Sequence, residues 1–172
     1  MIFSRSDLER IYNYIVPNEE ERDWNLINPA SIDIRVGNEL YIEVASGKTQ
    51  KVSINSSSED EPYIIQPGEF FLAGTYEKLH VPRNCAVELK LKSSRARAGW
   101  DHSLAFWFDP GWNGYGTMEI KNITRYTPLP IWKKMRFAQI IVHRLTTTVK
   151  EDQAYQGRYQ GAESVETFKP GS

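Results

Sequence analysis

EFFLAGTYEKLHV (69–81) and AVELKLKSS (86–94) are two extended, apolar-rich runs, with Pro82-Arg83-Asn84 as the break between them. Runs of this kind, bounded by Pro, Gly, Asn and Asp, read as strands. The pattern continues downstream in HSLAFWF (102–108), GTMEIKNI (116–123) and RFAQIIVHRL (136–145), parted by Asp109-Pro110-Gly111 and Pro128-Leu129-Pro130. Upstream lies NPASIDIRVGNELYIEV (28–44), where Ile32, Ile34 and Val36 alternate with polar partners. That alternation predicts a half-buried strand. Many short strands with regular turn signals predict a sandwich or barrel, here a jelly roll. Ahead of them, Leu8, Ile11, Tyr12 and Ile15 recur at helical intervals in RSDLERIYNYI (5–15). Ser6 is the expected N-cap, with Glu9 completing a capping box. Residues 46–61 read as an exposed hairpin or loop, and the last 25 residues, polar and rich in Gly, Gln and Tyr, as a tail. Without an internal repeat or a low-complexity linker, residues 1–172 are expected to form one domain.

Composition removes several functional classes. With 40% hydrophobic and 25% charged residues, the chain can build a packed core. A net charge of -1 gives no global basic field, so long nucleic acid is not the expected partner. No apolar run approaches the roughly 20 residues that cross a bilayer. The N-terminus lacks the compact apolar stretch of a signal peptide. Cys85 is the single cysteine, which forbids an internal disulfide and reads as a small core residue. The expected location is cytoplasmic, away from membranes. One Cys with His80, His102 and His143 cannot build the His/Cys/Cys zinc site of nucleoside deaminases. A phosphate-cradling P-loop and a nucleophile elbow are both missing. Any hydrolysis must run on carboxylates, hydroxyls and arginines.

Lys92-Ser93-Ser94-Arg95-Ala96-Arg97-Ala98-Gly99 puts two hydroxyls among three cations at a strand end. Hydroxyls, backbone N–H groups and Arg or Lys are the groups that hold phosphate oxygens, although a solvated basic turn has the same composition. Asp109-Pro110-Gly111-Trp112 fits a type II turn, in which Gly111 supplies the positive φ. In Gly116-Thr117-Met118-Glu119-Ile120-Lys121-Asn122, Met118 and Ile120 share one face and Thr117 and Glu119 the other. A mid-strand carboxylate is uncommon. Facing solvent it is unremarkable, but in a pocket desolvation would raise its pKa and make it a usable base near neutral pH.

Taken in order, these segments resemble the dCTP deaminase family of the wider dUTPase-like superfamily. The similarity runs from about Asn28 to Gly161 through NPASIDIRVG, PGEFFLAGTYEKLHVP, KSSRARAG, FDPGWNG, TMEIKN and the Arg136-Phe137-Ala138-Gln139 run. The resemblance implies a mainly β, dUTPase-like distorted jelly roll or β-barrel with a short N-terminal helix. It also implies a C-terminal tail, about 150–172, that closes over the nucleotide. On it, Glu119 corresponds to the general base that takes a proton from water attacking C4 of cytosine. Ser93 and Arg97 correspond to groups that position the water and polarise the base. Lys92, Ser94 and Gln139 fall on phosphate-side positions, Asp109 near the sugar, and Tyr155, Arg158, Tyr159 and Gln160 on the closing segment. The family forms homotrimers with shared active sites, uses Mg2+ held mainly by the nucleotide phosphates, and needs no zinc.

The expected activity is therefore hydrolytic deamination of dCTP to dUTP and ammonia. Three alternatives stay open: a bifunctional enzyme that continues to dUMP, a plain dUTP diphosphatase, and a silent nucleotide-binding homologue. The chain departs from the family pattern at Arg95 and Trp100, in a shortened segment before Asp109, at Ala138 and in its last residues. These departures leave room for a modified pyrimidine as substrate.

Overall fold

The computed structural model describes residues 1–45, 47–103 and 105–169. Helix α1 spans Arg5–Ile15 and buries Leu8, Tyr12 and Ile15, as their spacing requires. Its cap is Ser4, not Ser6. The Ser4 N–H and hydroxyl both donate to Oδ2 of Asp7, at 3.2 and 2.7 Å. Asp7 stands three residues after Ser4 and takes the acidic place of the capping box, so Ser6 and Glu9 fall inside the helix.

Strand β1 (Ile32–Ala45) pairs along its first residues with β10 (Arg136–Arg144) and along the rest with β4 (Phe70–His80). Register shifts at Ile34/Arg35 and Val36/Leu40 mark the handover, and irregularities of this kind bend a strand. β1 therefore belongs to both halves of one curled sheet. Strand β2 (Lys48–Ser53) folds back on β1, so the polar stretch after it begins as a hairpin. With β5 (Cys85–Leu91), β6 (Trp100–His102), β7 (Trp107–Phe108) and β8 (Asn113–Asn122), the order is β6-β8-β4-β1-β10-β5-β7. Strands β3 (Tyr63–Ile65) and β9 (Leu129–Ile131) form a separate antiparallel pair. The expected jelly-roll-like β architecture is present, with helix limited largely to the N-terminus.

Two local expectations change. The run 102–108 does not make one strand; β6 ends at His102 and β7 begins at Trp107. Ser93 and Ser94 do not extend β5 but open helix α2 (Ser93–Ala98), which Gly99 ends in the left-handed conformation at φ +104°. A Cβ at Gly99 would sit 2.2 Å from Cγ2 of Thr124, so only glycine fits there. Trp100, a departure from the family pattern, is a core residue with its ring edge-on to Phe71 and Phe137. Cys85 is buried, as expected.

The C-terminal segment follows a mostly exposed course with two buried anchor points. After a 3-10 turn at Glu151–Gln153 it buries Ala162 and Val165. Ser46 of the expected loop, Leu104 of the expected 102–108 strand and the last three tail positions lie outside the described residues. Among the described residues, no helix is long and apolar enough to cross a membrane.

Candidate active site

Strand β8 is the spine of the site. Its alternation sends Met118 and Ile120 into the core and Tyr115, Thr117 and Glu119 into a cavity of about 690 Å3. That size lies within the range of about 300–1,000 Å3 common for ligand pockets. Phe70 and Leu72 on β4, Phe106 before β7, and Trp112 at the end of the Asp109 turn supply hydrocarbon walls. Leu72 is the direct cross-strand partner of Glu119. Packing against such groups strips water from the Glu119 carboxyl and pushes its pKa above the usual carboxylate value. Its own backbone N–H and the charge of His102 oppose that rise. Oε2 of Glu119 is buried without a hydrogen-bond partner among the described residues. Buried polar atoms are normally paired, which makes this oxygen a candidate contact for a ligand.

The turn Asp109-Pro110-Gly111-Trp112 forms as predicted. Trp112 N–H donates to Asp109 O at 3.0 Å, and Gly111 has φ +87°. The Asp109 carboxylate is exposed and accepts from Nε1 of Trp107 at 3.1 Å. The C-terminal segment lies across this turn. Gln160 clamps it: Oε1 accepts from Asn113 N, and Nε2 donates to Gly111 O, both at 2.9 Å. Tyr155 N–H donates to Pro110 O, and the rings of Tyr155 and Tyr159 line the cavity with Glu119. Arg158 donates to Lys169 O at 2.7 Å, within the segment itself.

The remaining expected site residues sit elsewhere on the chain. Nζ of Lys92 contacts both oxygens of Asp33 at 2.6 Å, and Asp33 is only 2% exposed. Asn28 Nδ2 donates to the same carboxylate, and Arg136 stands 3.9 Å away. Gln139 faces Asp33 across the β1–β10 pair and accepts from Ser31 at 2.9 Å. The Lys92 ammonium is thus already held by a buried counter-ion. Ser93, Ser94 and Arg97 are exposed on α2, with Arg97 Nη1 3.4 Å from Ser93 Oγ. None of these residues lines the Glu119 cavity. Arg95 donates to Arg136 O and lies over the Trp132 ring, so this departure from the family pattern is anchored on its own chain.

Sequence reasoning gave no role to Asp33, Arg136, Tyr115 or Glu166, yet the first two gather around Lys92 and the last two line the cavity. Asp33 and Arg136 did lie within quoted motifs, which was the available signal. Among the described lining residues the only charges are Glu119 and Glu166, both acidic. Among the described residues no cluster of three His, Cys, Asp or Glu could hold a metal ion.

Comparison with known proteins falls on the same segments. The dCTP deaminase-like family matches residues 9–145, which contain the whole sheet. This chain belongs to that family. Among its relatives, a "dCTP deaminase, dUMP-forming" of Nanoarchaeum equitans is 35% identical, covering 87% of this chain and 89% of its own length. One with the same name from Clavibacter michiganensis subsp. michiganensis is 34% identical over 81% of this chain and 75% of its own. In three dimensions the fold resembles the 2'-deoxycytidine 5'-triphosphate deaminase of Agrobacterium tumefaciens, with a TM-score of 0.69 at 19% identity. That match covers 88% of this chain and half of the Agrobacterium chain.

Proposed function

We propose that this chain hydrolyses the 4-amino group of dCTP, with Glu119 as the proton-transfer group. The observation that carries the reading is a desolvated carboxylate with an unpaired buried oxygen on the wall of an aromatic cavity. In the proposed sequence, a water attacks C4 of cytosine while Glu119 takes its proton. The carboxyl passes that proton to N3, giving a neutral tetrahedral adduct. Glu119 then takes the proton of the new hydroxyl and delivers it to the amino group, the C4–N bond breaks, and ammonia leaves a uracil ring. The sum is dCTP plus water to dUTP plus ammonia. General acid–base transfer of this kind contributes about 10²–10⁴-fold, and hydrogen bonds to the developing charge supply more.

The triphosphate requires cations that the cavity of one chain does not supply among its described residues. A second copy that brings Arg97 with Ser93 and Ser94 to the mouth of the cavity would supply one, along with two hydroxyls. The exposure of α2 supports this, and a homotrimer is the assembly we propose. Lys92 and Gln139 then act through the Asp33 cluster that braces α2. Asp109 faces the sugar, and Tyr155, Arg158, Tyr159 and Gln160 form the closing segment. Magnesium is proposed to enter on the phosphates.

The names of the relatives favour continuation to dUMP with release of diphosphate, beyond the single step to dUTP. Incubation with dCTP alone separates the two. Accumulating dUTP supports the single step, and dUMP with diphosphate supports the longer one. Glu119→Gln is expected to stop ammonia release while nucleotide binding survives, and undiminished turnover would remove Glu119 from its role.

A further inference from the structure

Tyr115 shares the cavity face of β8 with Thr117 and Glu119, but its phenol points to a different partner. Oη donates to Oε1 of Glu21 at 2.7 Å. Glu21 is 6% exposed and has both carboxylate oxygens engaged. Oε1 also accepts from Asn18 Nδ2 at 2.9 Å, and Oε2 accepts from Lys78 N at 2.6 Å. Burial, followed by the bond to this carboxylate, pushes the phenol pKa far up, so Tyr115 stays a donor across the working range of pH.

The same residue meets the C-terminal segment. Tyr115 N–H donates to Ala162 O at 2.8 Å. Lys78 pairs with Glu163 at 2.7 Å, and its ammonium lies 5.9 Å from the centre of the Tyr115 ring. Gly114, at φ +148°, bridges to Ala162, where a Cβ would come within 2.8 Å of the Ala162 backbone nitrogen. Tyr159 and Ala162 of that segment line the cavity. Three parts of the chain therefore converge on one residue: the turn at Glu19–Glu21 through its hydroxyl, strand β4 through its ring, and the closing segment through its backbone N–H.

Packing alone does not explain this junction. A phenylalanine ring would fill the same wall without a hydroxyl, and a buried carboxylate that no ammonium or guanidinium contacts among the described residues is costly. We propose that Tyr115 is a positioning residue for nucleotide binding. Fixed by Glu21, it holds the segment around Tyr159–Glu163 against the cavity and so sets how tightly that segment closes on the ligand. This rests on the reading of the cavity as the nucleotide site.

The test compares the full-length protein with Tyr115→Phe, Glu21→Ala and the double variant. It uses KM and kcat for dCTP, the Kd of dCTP in a Glu119→Gln background, and Tm. Loss of a hydrogen bond to a charged group corresponds to roughly a tenfold change. Tyr115→Phe should raise KM and Kd by about that factor, with kcat falling by less. Glu21→Ala, which also removes the Asn18 and Lys78 bonds, should raise them at least as much, and the double variant should be no worse than Glu21→Ala, because the phenol has then already lost its partner. A fall in Tm with KM and Kd unchanged would make the junction purely structural and overturn the proposal, as would a fall in kcat alone. Because Kd is read without turnover, weaker binding in the variants while the Glu119-intact protein releases no ammonia from dCTP upholds the junction and rejects the deaminase reading. Deamination with unchanged Kd does the reverse.

Discussion

Glu119 is a carboxylate placed beside hydrocarbon, and its chemistry follows from that. In the proposed role of base it must be deprotonated, and burial raises its proton affinity. Activity should therefore fall as pH drops, along a limb lying above the ordinary carboxylate value of 4.5. Leu72 is its cross-strand neighbour, so Leu72→Thr should admit water and move the acid limb of kcat/KM to lower pH. A limb that stays in place would mean that Leu72 does not set the desolvation. The face that Glu119 takes was legible in the sequence because strand alternation has a period of two. Its neighbours Tyr155 and Tyr159 could be placed there only through resemblance, since their contacts cross long separations. Tyr115 lay outside the quoted strand run 116–123, and nothing local connects it to Glu21, 94 residues away.

Among the elements, α2 teaches most. Six residues are too few for helical periodicity to show, so Ser93-Ser94 read as the end of a strand. The Gly99 stop signal was nonetheless present. The Lys92–Asp33 pair spans 59 residues and was invisible to any local reading. It gives Lys92 a structural partner beside the expected phosphate contact. Removing one partner of a buried pair typically costs about 3–5 kcal/mol. Asn28 and Arg136 soften the loss around Asp33, so Lys92→Met should destabilise the protein by roughly 3 kcal/mol in chemical denaturation. Unchanged stability with weaker nucleotide binding would return Lys92 to the phosphate role. Glu77 makes the complementary case. It is fully buried and held by Arg35 at 2.6 Å, yet desolvation outweighs that partner and lifts its pKa from 4.5 to about 6. A raised folded-state pKa gives stability that is complete below 4.5 and lost as pH rises through about 6. Relative to Glu77→Gln, the wild type should therefore lose about 2 kcal/mol across that window. A difference that stays flat with pH would contradict the shift.

At the scale of the molecule, the proposed halves of the site, Glu119 in its cavity and Ser93 with Arg97 on α2, do not meet within one chain. The cavity with Glu119 has acidic charge only among its described lining residues, while Ser93 and Arg97 stand exposed on α2. The β architecture was legible because turn residues and alternation agree along most of the chain. The split at 102–108 was not, since that apolar run carries no internal Gly or Pro to mark a break. If the halves come from different copies, Glu119→Gln and Arg97→Ala should each be inactive alone and regain activity when co-assembled. Two inactive variants that stay inactive in mixed oligomers would place the complete site within one chain.

The most direct test is incubation of the purified protein with dCTP and magnesium, with ammonia and the nucleotide products followed by chromatography beside the Glu119→Gln variant. The predicted result is ammonia released in step with dCTP loss, a uracil nucleotide as product, and no turnover in the variant. Unchanged dCTP in the wild type, or equal turnover in both proteins, would contradict the proposed role of Glu119 in dCTP deamination.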